Sequence, residues 1–232
     1  VVRVRSGDRF GGAGESWHVR PDVAEDHEAL LGALRASGIA PARLVHAFGL
    51  APVDTSMPLD DRLARTFDSV FALSQALAKD DVSQPLTLDV LTAGAWAVAG
   101  EGELDPARAT ALPPAATLSG ELPSVSSRGI DVLWPADARA EAALLAQLLR
   151  EIAAPVTEQA VALRGRDRFT RTWQPAPLAR DTAKPARLRQ GGVYLVTGGL
   201  GGIGLSLAEG LARETRGTLV LLGRSGLPAR EV

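Results

Sequence analysis

The residues of this chain whose types and spacing point most directly to chemistry are the glycines of Thr197-Gly198-Gly199-Leu200-Gly201-Gly202-Ile203-Gly204. An apolar stretch, Tyr194-Leu195-Val196, precedes them, and Leu205-Ser206-Leu207-Ala208 opens a helical pattern after them. Glycines in such a turn serve three ends: unusual backbone angles, close approach of the main chain to a pyrophosphate, and tight packing of helix on strand. The helix that follows offers free N–H groups and the positive end of its dipole. Thr197 through Gly204 are therefore the candidate residues for binding the phosphates of a dinucleotide.

A glycine-rich turn carries this meaning only inside a βαβ unit, and the flanking residues supply one. The helix continues through Glu209-Gly210-Leu211-Ala212-Arg213-Glu214, and Thr218-Leu219-Val220-Leu221-Leu222 reads as the second strand. An acidic residue at the end of that strand would hold a ribose 2′-hydroxyl. Here stand Gly223-Arg224-Ser225 instead. Arg224 can neutralise a 2′-phosphate and Ser225 can donate a hydrogen bond to it, so the expected cofactor is NADPH.

Upstream, strands and helices alternate. Val1 to Arg5 reads as a strand already under way. Asp22 to Ser37 reads as a helix with Asp22 as N-cap, Ala29, Leu30, Ala33 and Leu34 inward, and Gly38 as its stop. Arg43 to Leu50 is a short strand. Asp60 to Lys79 is a helix with Leu63, Phe67, Val70, Phe71, Ser74 and Leu77 inward. Leu86 to Thr92 is a strand that Gly94 to Val98 extends past a bend. Asp105 to Pro123 reads as an irregular proline- and alanine-rich connection, Arg128 to Trp134 as a strand, and Ala138 to Ala153 as a helix burying Ala142, Leu145, Leu148, Leu149 and Ile152. Glu158 to Leu163 and Arg168 to Trp173 form a hairpin about Arg164-Gly165-Arg166-Asp167. The alternation implies a parallel sheet with right-handed crossovers. Gly11-Gly12-Ala13-Gly14 lacks a strand–turn–helix context and is no second fingerprint.

The fold class expected is α/β, with two Rossmann-like subdomains, the first degenerate and the second truncated after its first βαβ unit. Residues 1–177 form the first, 178–190 a proline-containing linker, and 191–232 the start of the second. A doubly wound sheet should continue for several strands beyond Leu222, and Gly226-Leu227-Pro228-Ala229-Arg230 reads as the entry to a loop.

Other chemistries find little support. Twenty-five basic against 27 acidic residues give a formal charge of −2, which supplies no global attraction to nucleic acid or anionic membrane. No apolar run reaches the ~20 residues of a membrane span, and residues 1–8 are no signal peptide. The expected location is cytoplasmic. The absence of cysteine removes thiolate catalysis, disulfides and cysteine-based metal sites, and permits a reducing compartment. His18, His27 and His46 have no metal-binding spacing, so no metal is expected. Asp60-Asp61, Asp80-Asp81 and Asp26 with Glu28 read as carboxylates at helix ends or solvent faces. Trp17, Trp96, Trp134 and Trp173 are too dispersed for a stacking platform. Ser124, Ser126 and Ser127 lack the nucleophile elbow of a serine hydrolase.

The spacing Thr-Gly-x-x-x-Gly-x-Gly from Thr197 to Gly204 resembles the short-chain dehydrogenase/reductase pattern. With Leu219 to Gly226 after it, the chain resembles the ketoreductase domain of modular type I polyketide synthases. Three further segments are similar to that family: Arg168 to Leu178, leading from its structural half into its catalytic half, and Leu44 to Leu50 and Ser127 to Val132 as strands of the structural half.

The resemblance implies a reductase that uses NADPH to convert a β-ketoacyl thioester on an acyl carrier protein to the β-hydroxyacyl thioester, beside other domains of the same synthase. It places the pyrophosphate on Thr197 to Ile203 and the 2′-phosphate on Arg224 and Ser225. Such reductases need a Tyr-x-x-x-Lys pair and a serine. The one tyrosine, Tyr194, is followed four positions later by Gly198, so no catalytic residue is expected within these positions. Tyr194 reads as a packed strand aromatic. A second reading stays open: an inactive pseudo-reductase that scaffolds a neighbouring domain such as a methyltransferase.

Overall fold

The computed structural model describes residues 1–50, 56–80, 84–101, 104–135, 137–177 and 187–224. Ser225, residues 226–230, Asp81, Leu178 and the linker from 179 to 186 lie outside them. The chain divides into two compact units, Val1–Trp173 and Gln174–Val232.

In the first unit a small sheet has the order β1-β3-β2, formed by β1 (Arg3–Ser6), β2 (Gly11–Ala13) and β3 (Ser16–Val19). β1 runs parallel to β3 and β2 antiparallel to it. Helix α1 (Ala24–Ala36) lies against this sheet, with Leu30 and Leu34 on Trp17 and Val19. Its buried stripe is Asp26, His27, Leu30, Leu31 and Leu34, while Ala29 is exposed. Val23, with no capping side chain, precedes the helix in place of the expected Asp22. Asp26 is buried, contrary to its reading as a solvent carboxylate. It accepts from the backbone N–H of Arg20 at 2.8 Å and from that residue's guanidinium at 2.6 and 3.0 Å.

A larger sheet has the order β4-β5-β6-β7-β8, from β4 (Arg43–Gly49), β5 (Leu86–Ala93), β6 (Val125–Val132), β7 (Ala160–Arg164) and β8 (Asp167–Thr170). β4 to β7 are parallel, and β8 turns back antiparallel through Gly165 at φ +59°. Between β4 and β5 lie α2 (Leu59–Leu63) and α3 (Ser69–Lys79), joined by one π-helical turn, Ala64–Asp68. The hydroxyls of Thr66 and Ser69 donate to the carbonyls of Arg62 and Arg65 at 2.9 and 3.0 Å, competing with the regular ladder. The wider turn changes the phase of the helix. Thr66, Ser69, Val70, Leu73, Ala76 and Leu77 face inward, and Phe67 and Phe71, expected in the core, stack on each other outside it.

Residues 105–123, expected to be irregular, contain α4 (Pro106–Ala109) and α5 (Leu112–Glu121). Both carry proline in the first turn, where the missing N–H is not needed and the fixed φ is helical. Asp105 caps α4 by accepting from Ala107 N–H at 3.0 Å. Gly94, at φ +71°, ends β5 in a turn, so Ala95 to Val98 form a loop and no strand extension. α6 (Ala138–Ala153) buries Leu144, Leu148 and Glu151, leaving Leu145 and Leu149 exposed.

The faces used by these helices correct another expectation. α3 and α5 pack with Leu86, Leu88 and Val90 on one side of the sheet. α6 packs with Leu91, Ala93, Ile130 and Val132 on the other. Since β4 to β7 are adjacent in sequence order, each crossover steps the same way, and connections on opposite faces must have opposite hands. The α6 crossover is the odd one, so the crossovers are not uniformly right-handed.

The second unit contains β9 (Val193–Thr197), α7 (Gly202–Thr215) and β10 (Thr218–Leu222), with the two strands parallel and in register from Val193↔Thr218 to Thr197↔Leu222. A βαβ unit is what the periodicity predicts. The fold as a whole is α/β with parallel sheets of Rossmann type.

Candidate functional site

Between β9 and α7 the glycines divide by task. Gly198 takes φ +70°, a conformation that L side chains rarely adopt. A Cβ on Gly204 would strike the carbonyl oxygen of Gly198 and come within 2.7 Å of the Gly199 Cα, and one on Gly199 would come within 2.7 Å of the Val196 carbonyl. These positions need glycine for the chain's own packing. Gly202 does not: it is exposed, its φ is ordinary for a helix, and a Cβ there would meet nothing within 4 Å.

Hydrogen bonds fix the turn. Gly201 N–H donates to Gly198 O at 3.0 Å, Gly199 N–H to Leu222 O at 3.0 Å, and Leu205 N–H to Gly201 O at 2.8 Å. The last of these begins the helical ladder, which leaves Gly202, Ile203 and Gly204 as the N–H groups of the first turn. No side chain caps them. Ile203 stands 82% exposed in that turn. Thr197 ends β9 exposed, and Leu200 is half-buried, with its Cβ and Cδ1 3.0 Å from where a Cβ on Gly223 would lie. The end of β10 is thus drawn against the glycine turn. Arg224, the next residue, is exposed beside it, with no ion-pair partner among the described residues. Ser225 lies outside the described residues.

This donor set fits the phosphates of a dinucleotide: uncapped helical N–H groups, one glycine whose Cβ would meet nothing among the described residues, and an exposed guanidinium at the flank. Tyr194, by contrast, is tied down, its hydroxyl accepting from Arg189 N–H at 2.6 Å and donating to Arg189 O at 3.0 Å.

The corresponding place in the first unit, beyond the C-terminal ends of β5, β6 and β7, is filled by the chain. Asp131, fully buried, accepts from Thr92 Oγ1 at 2.8 Å, Ala95 N–H at 2.9 Å, Trp96 N–H at 3.3 Å and Arg164 Nη2 at 2.6 Å. Arg164 also donates to Trp96 O at 2.9 Å and to Glu101. Arg108 donates to Ala93 O at 2.5 Å and lies 3.6 Å from Asp105. Together they clamp the loop from Gly94 to Glu101 over the strand ends. A second buried set, on the α6 face, joins Arg128 to Asp89 at 2.7 Å and to Glu151 at 2.8 Å, with Arg43 and Arg168 outside it. Sequence reasoning missed both sets, because their members are scattered among apolar strand residues and show no spacing of their own.

The histidines are packed apart from any of this. His27 is buried, with Nε2 2.8 Å from Pro21 O. His46 is buried with Nε2 2.9 Å from Ser69 Oγ and its ring edge-on to Phe48, and its Nδ1 has no partner. Burial, reinforced by nearby His27, pushes the His46 imidazole down to about 3, and burial also lowers His27. Both are neutral at ordinary pH. Among the described residues no group of three His, Cys, Asp or Glu side chains could hold a metal, and no helix is long and apolar enough to cross a membrane.

The fold and the glycine turn define a Rossmann-type protein of the short-chain dehydrogenase class. Comparison with known proteins narrows this. Residues 192–232 match the family model "KR domain", and residues 1–97 match "Beta-ketoacyl synthase-like, N-terminal". The chain is 38% identical over 182 residues to erythronolide synthase EryA3 of Saccharopolyspora erythraea, covering 78% of this chain and 5% of that protein. It is 31% identical over 173 residues to a phenolphthiocerol/phthiocerol polyketide synthase of Mycobacterium tuberculosis (strain ATCC 25618 / H37Rv), covering 73% of this chain and 9% of that one. The solved first ketoreductase of the tylosin polyketide synthase superposes with a TM-score of 0.58 at 26% identity, over 89% of this chain and 42% of that one. The chain belongs to the ketoreductase domains of polyketide synthases. It spans only a small part of these curated relatives' length.

Proposed function

We propose that this chain supplies the structural half and the opening nucleotide-binding unit of an NADPH-dependent β-ketoacyl reductase. On this reading Thr197, Gly198, Gly199, Leu200, Gly201, Gly202, Ile203 and Gly204 form the pyrophosphate cradle, and Arg224 with Ser225 takes the adenosine 2′-phosphate. Bound NADPH supplies the hydride that turns the β-keto group of a thioester on an acyl carrier protein into a β-hydroxyl. The chain's own residues bind and orient: the N–H groups of Gly202 to Gly204 receive phosphate oxygens, and Arg224 balances the extra charge. None of the 232 positions is assigned to the proton transfer. Residues 1–177 act as a buttress, because Arg164, Asp131 and Trp96 occupy the place where a second dinucleotide would lie.

The observation that carries this reading is Gly202. Gly202 shares its openness with Gly32, Gly120 and Gly210, so what supports the reading is its place, at the first turn of an uncapped helix beside the exposed Arg224, where a ligand can approach the main chain.

The test is NADPH oxidation by the synthase polypeptide that carries this sequence, with a short β-ketoacyl thioester, beside direct titration with NADPH and NADH. Turnover with preference for NADPH supports the proposal. Tight NADPH binding without turnover, or no binding, favours the scaffold.

A further inference from the structure

The α6 crossover leaves its mark on the opposite face of the sheet. Because α6 packs on Val161 and Leu163, the other face of β7, made by Ala160 and Ala162, belongs to neither apolar cluster among the described residues, although both alanines are buried, at 6% and 3% exposure. A cavity of about 490 Å³ lies there instead, floored by Ala160, Ala162 and Phe169 and walled by the Trp96 loop, Thr170 and Arg171.

One charged group lines this trough. The Arg171 guanidinium lies over the ring of Trp96 at 5.8 Å and over that of Trp173 at 5.5 Å. Trp96 and Trp173, far apart in sequence, thus share one guanidinium. In the first unit Arg20, Arg43, Arg62, Arg128, Arg164 and Arg168 each meet a carboxylate. Arg171 meets none among the described residues; neither do Arg3, Arg5, Arg9, Arg65, Arg139, Arg150 and Arg166, but of these unpaired arginines Arg171 is the one that lines the trough. Indole faces hold such a guanidinium in place without neutralising it, and they leave its N–H edge available.

We propose that this trough is a binding site for an amphiphilic anion: a slender apolar chain lying along Ala160 and Ala162, with a terminal carboxylate or phosphate on Arg171. The alanines give width without polar demand, and a volume of this size is in the ordinary range of small-molecule sites. The loop that makes one wall is fixed in advance, since Arg164 and Asp131 pin Trp96 through its carbonyl and its N–H. The lining residues all belong to the first unit, and the test does not depend on reductase activity.

The experiment is calorimetric titration of the 232-residue chain with octanoate, octyl phosphate and, as the uncharged control, octanol, with tryptophan fluorescence as a second readout. Saturable binding of one molecule of either anion is expected, with octanol weaker. Preference for octyl phosphate over octanoate would identify a phosphate ester as the natural head group, and the reverse a carboxylate. Arg171→Gln should weaken both anions by about tenfold or more, the range for a charge-assisted hydrogen bond, and leave octanol unchanged. Ala162→Leu, checked for an unchanged circular dichroism spectrum, should weaken all three by filling the floor. Absence of saturation, or an equal loss of octanol and octanoate in Arg171→Gln, overturns the proposal.

Discussion

Beyond the ends of β5, β6 and β7 the chain fills the space with Arg164, Asp131, Glu101 and the Trp96 loop; beyond the end of β9 it places glycines, uncapped N–H groups and the exposed Arg224. Both places lie at the ends of parallel strands, where open α/β sheets bind ligands. The difference lies in what satisfies the polar groups there. In the first unit a buried aspartate takes the N–H groups of Ala95 and Trp96. In the second, none of the described side chains caps the helix. A Rossmann-like frame thus says little about function until the occupant of its strand ends is known.

The comparison can be broken most severely at Arg164. Arg164→Met leaves Asp131 and Glu101 buried without their cation, and should cost about 3–5 kcal/mol, read as a lower denaturant midpoint for the first unit. An unchanged midpoint would mean that the loop is held by packing alone.

A second effect separates the units by pH. His46 and His27 are neutral in the fold and lowered by burial, whereas in the unfolded chain they titrate near the ordinary histidine value. The unfolded state then binds more protons as pH falls from about 6.5 toward 3, so stability drops through that window and is constant above it. For His46 the loss should reach about 2–3 kcal/mol near pH 4.5. His46→Phe should flatten the acid limb of the first unit's stability curve, and urea titrations at several pH values would show whether it does.

In the second unit Arg224→Ala should weaken NADPH relative to NADH by about 1.5–3 kcal/mol, the range of a lost charge-assisted bond. Equal weakening of both dinucleotides in parallel titrations would remove Arg224 from the 2′-phosphate.

The finest contrast is between two glycines two residues apart. Gly204→Ala should destabilise by about 1–3 kcal/mol, because its Cβ lands on the Gly198 carbonyl. Gly202→Ala should change stability by less than about 1 kcal/mol, yet Gly202→Val should abolish binding of NADPH and NADH alike. Thermal melts with and without dinucleotide would distinguish the packing glycine from the one kept open.

Much of this was legible in the sequence. The βαβ around the glycine turn followed from two apolar runs of strand length flanking a helical period, and the full span of α6 from its alanine- and leucine-rich repeat. These signals are local, since hydrogen-bonding patterns and turn angles depend on nearest neighbours along the chain. The inward faces were less legible. Phe67 and Phe71 were expected in the core because Asp60 to Lys79 reads as one regular 3.6-residue period; a π turn interrupts that period at Ala64–Asp68, and within α3 the buried stripe of Ser69, Val70, Leu73, Ala76 and Leu77 puts Phe71 on the opposite side. Leu145 and Leu149 were misassigned because an aliphatic helix has a broad apolar arc, and only its partner decides which part is buried.

What the sequence by itself determined was the alternation of the longer strands and helices, though not β2, β3, α4 or α5, together with the exclusion of thiolate chemistry and the glycine turn with its flanking arginine, because each resides in residue identity and short spacing. Tertiary structure alone decided the rest. Buried ion pairs such as Arg128 with Asp89 and Arg164 with Asp131 join residues 39 and 33 positions apart, and the meeting of Trp96, Arg171 and Trp173 joins a loop after β5 to the segment after β8. A lone charge in an apolar strand is costly, so its partner must exist; where along the chain that partner stands is set by strand order and register, which no local pattern encodes.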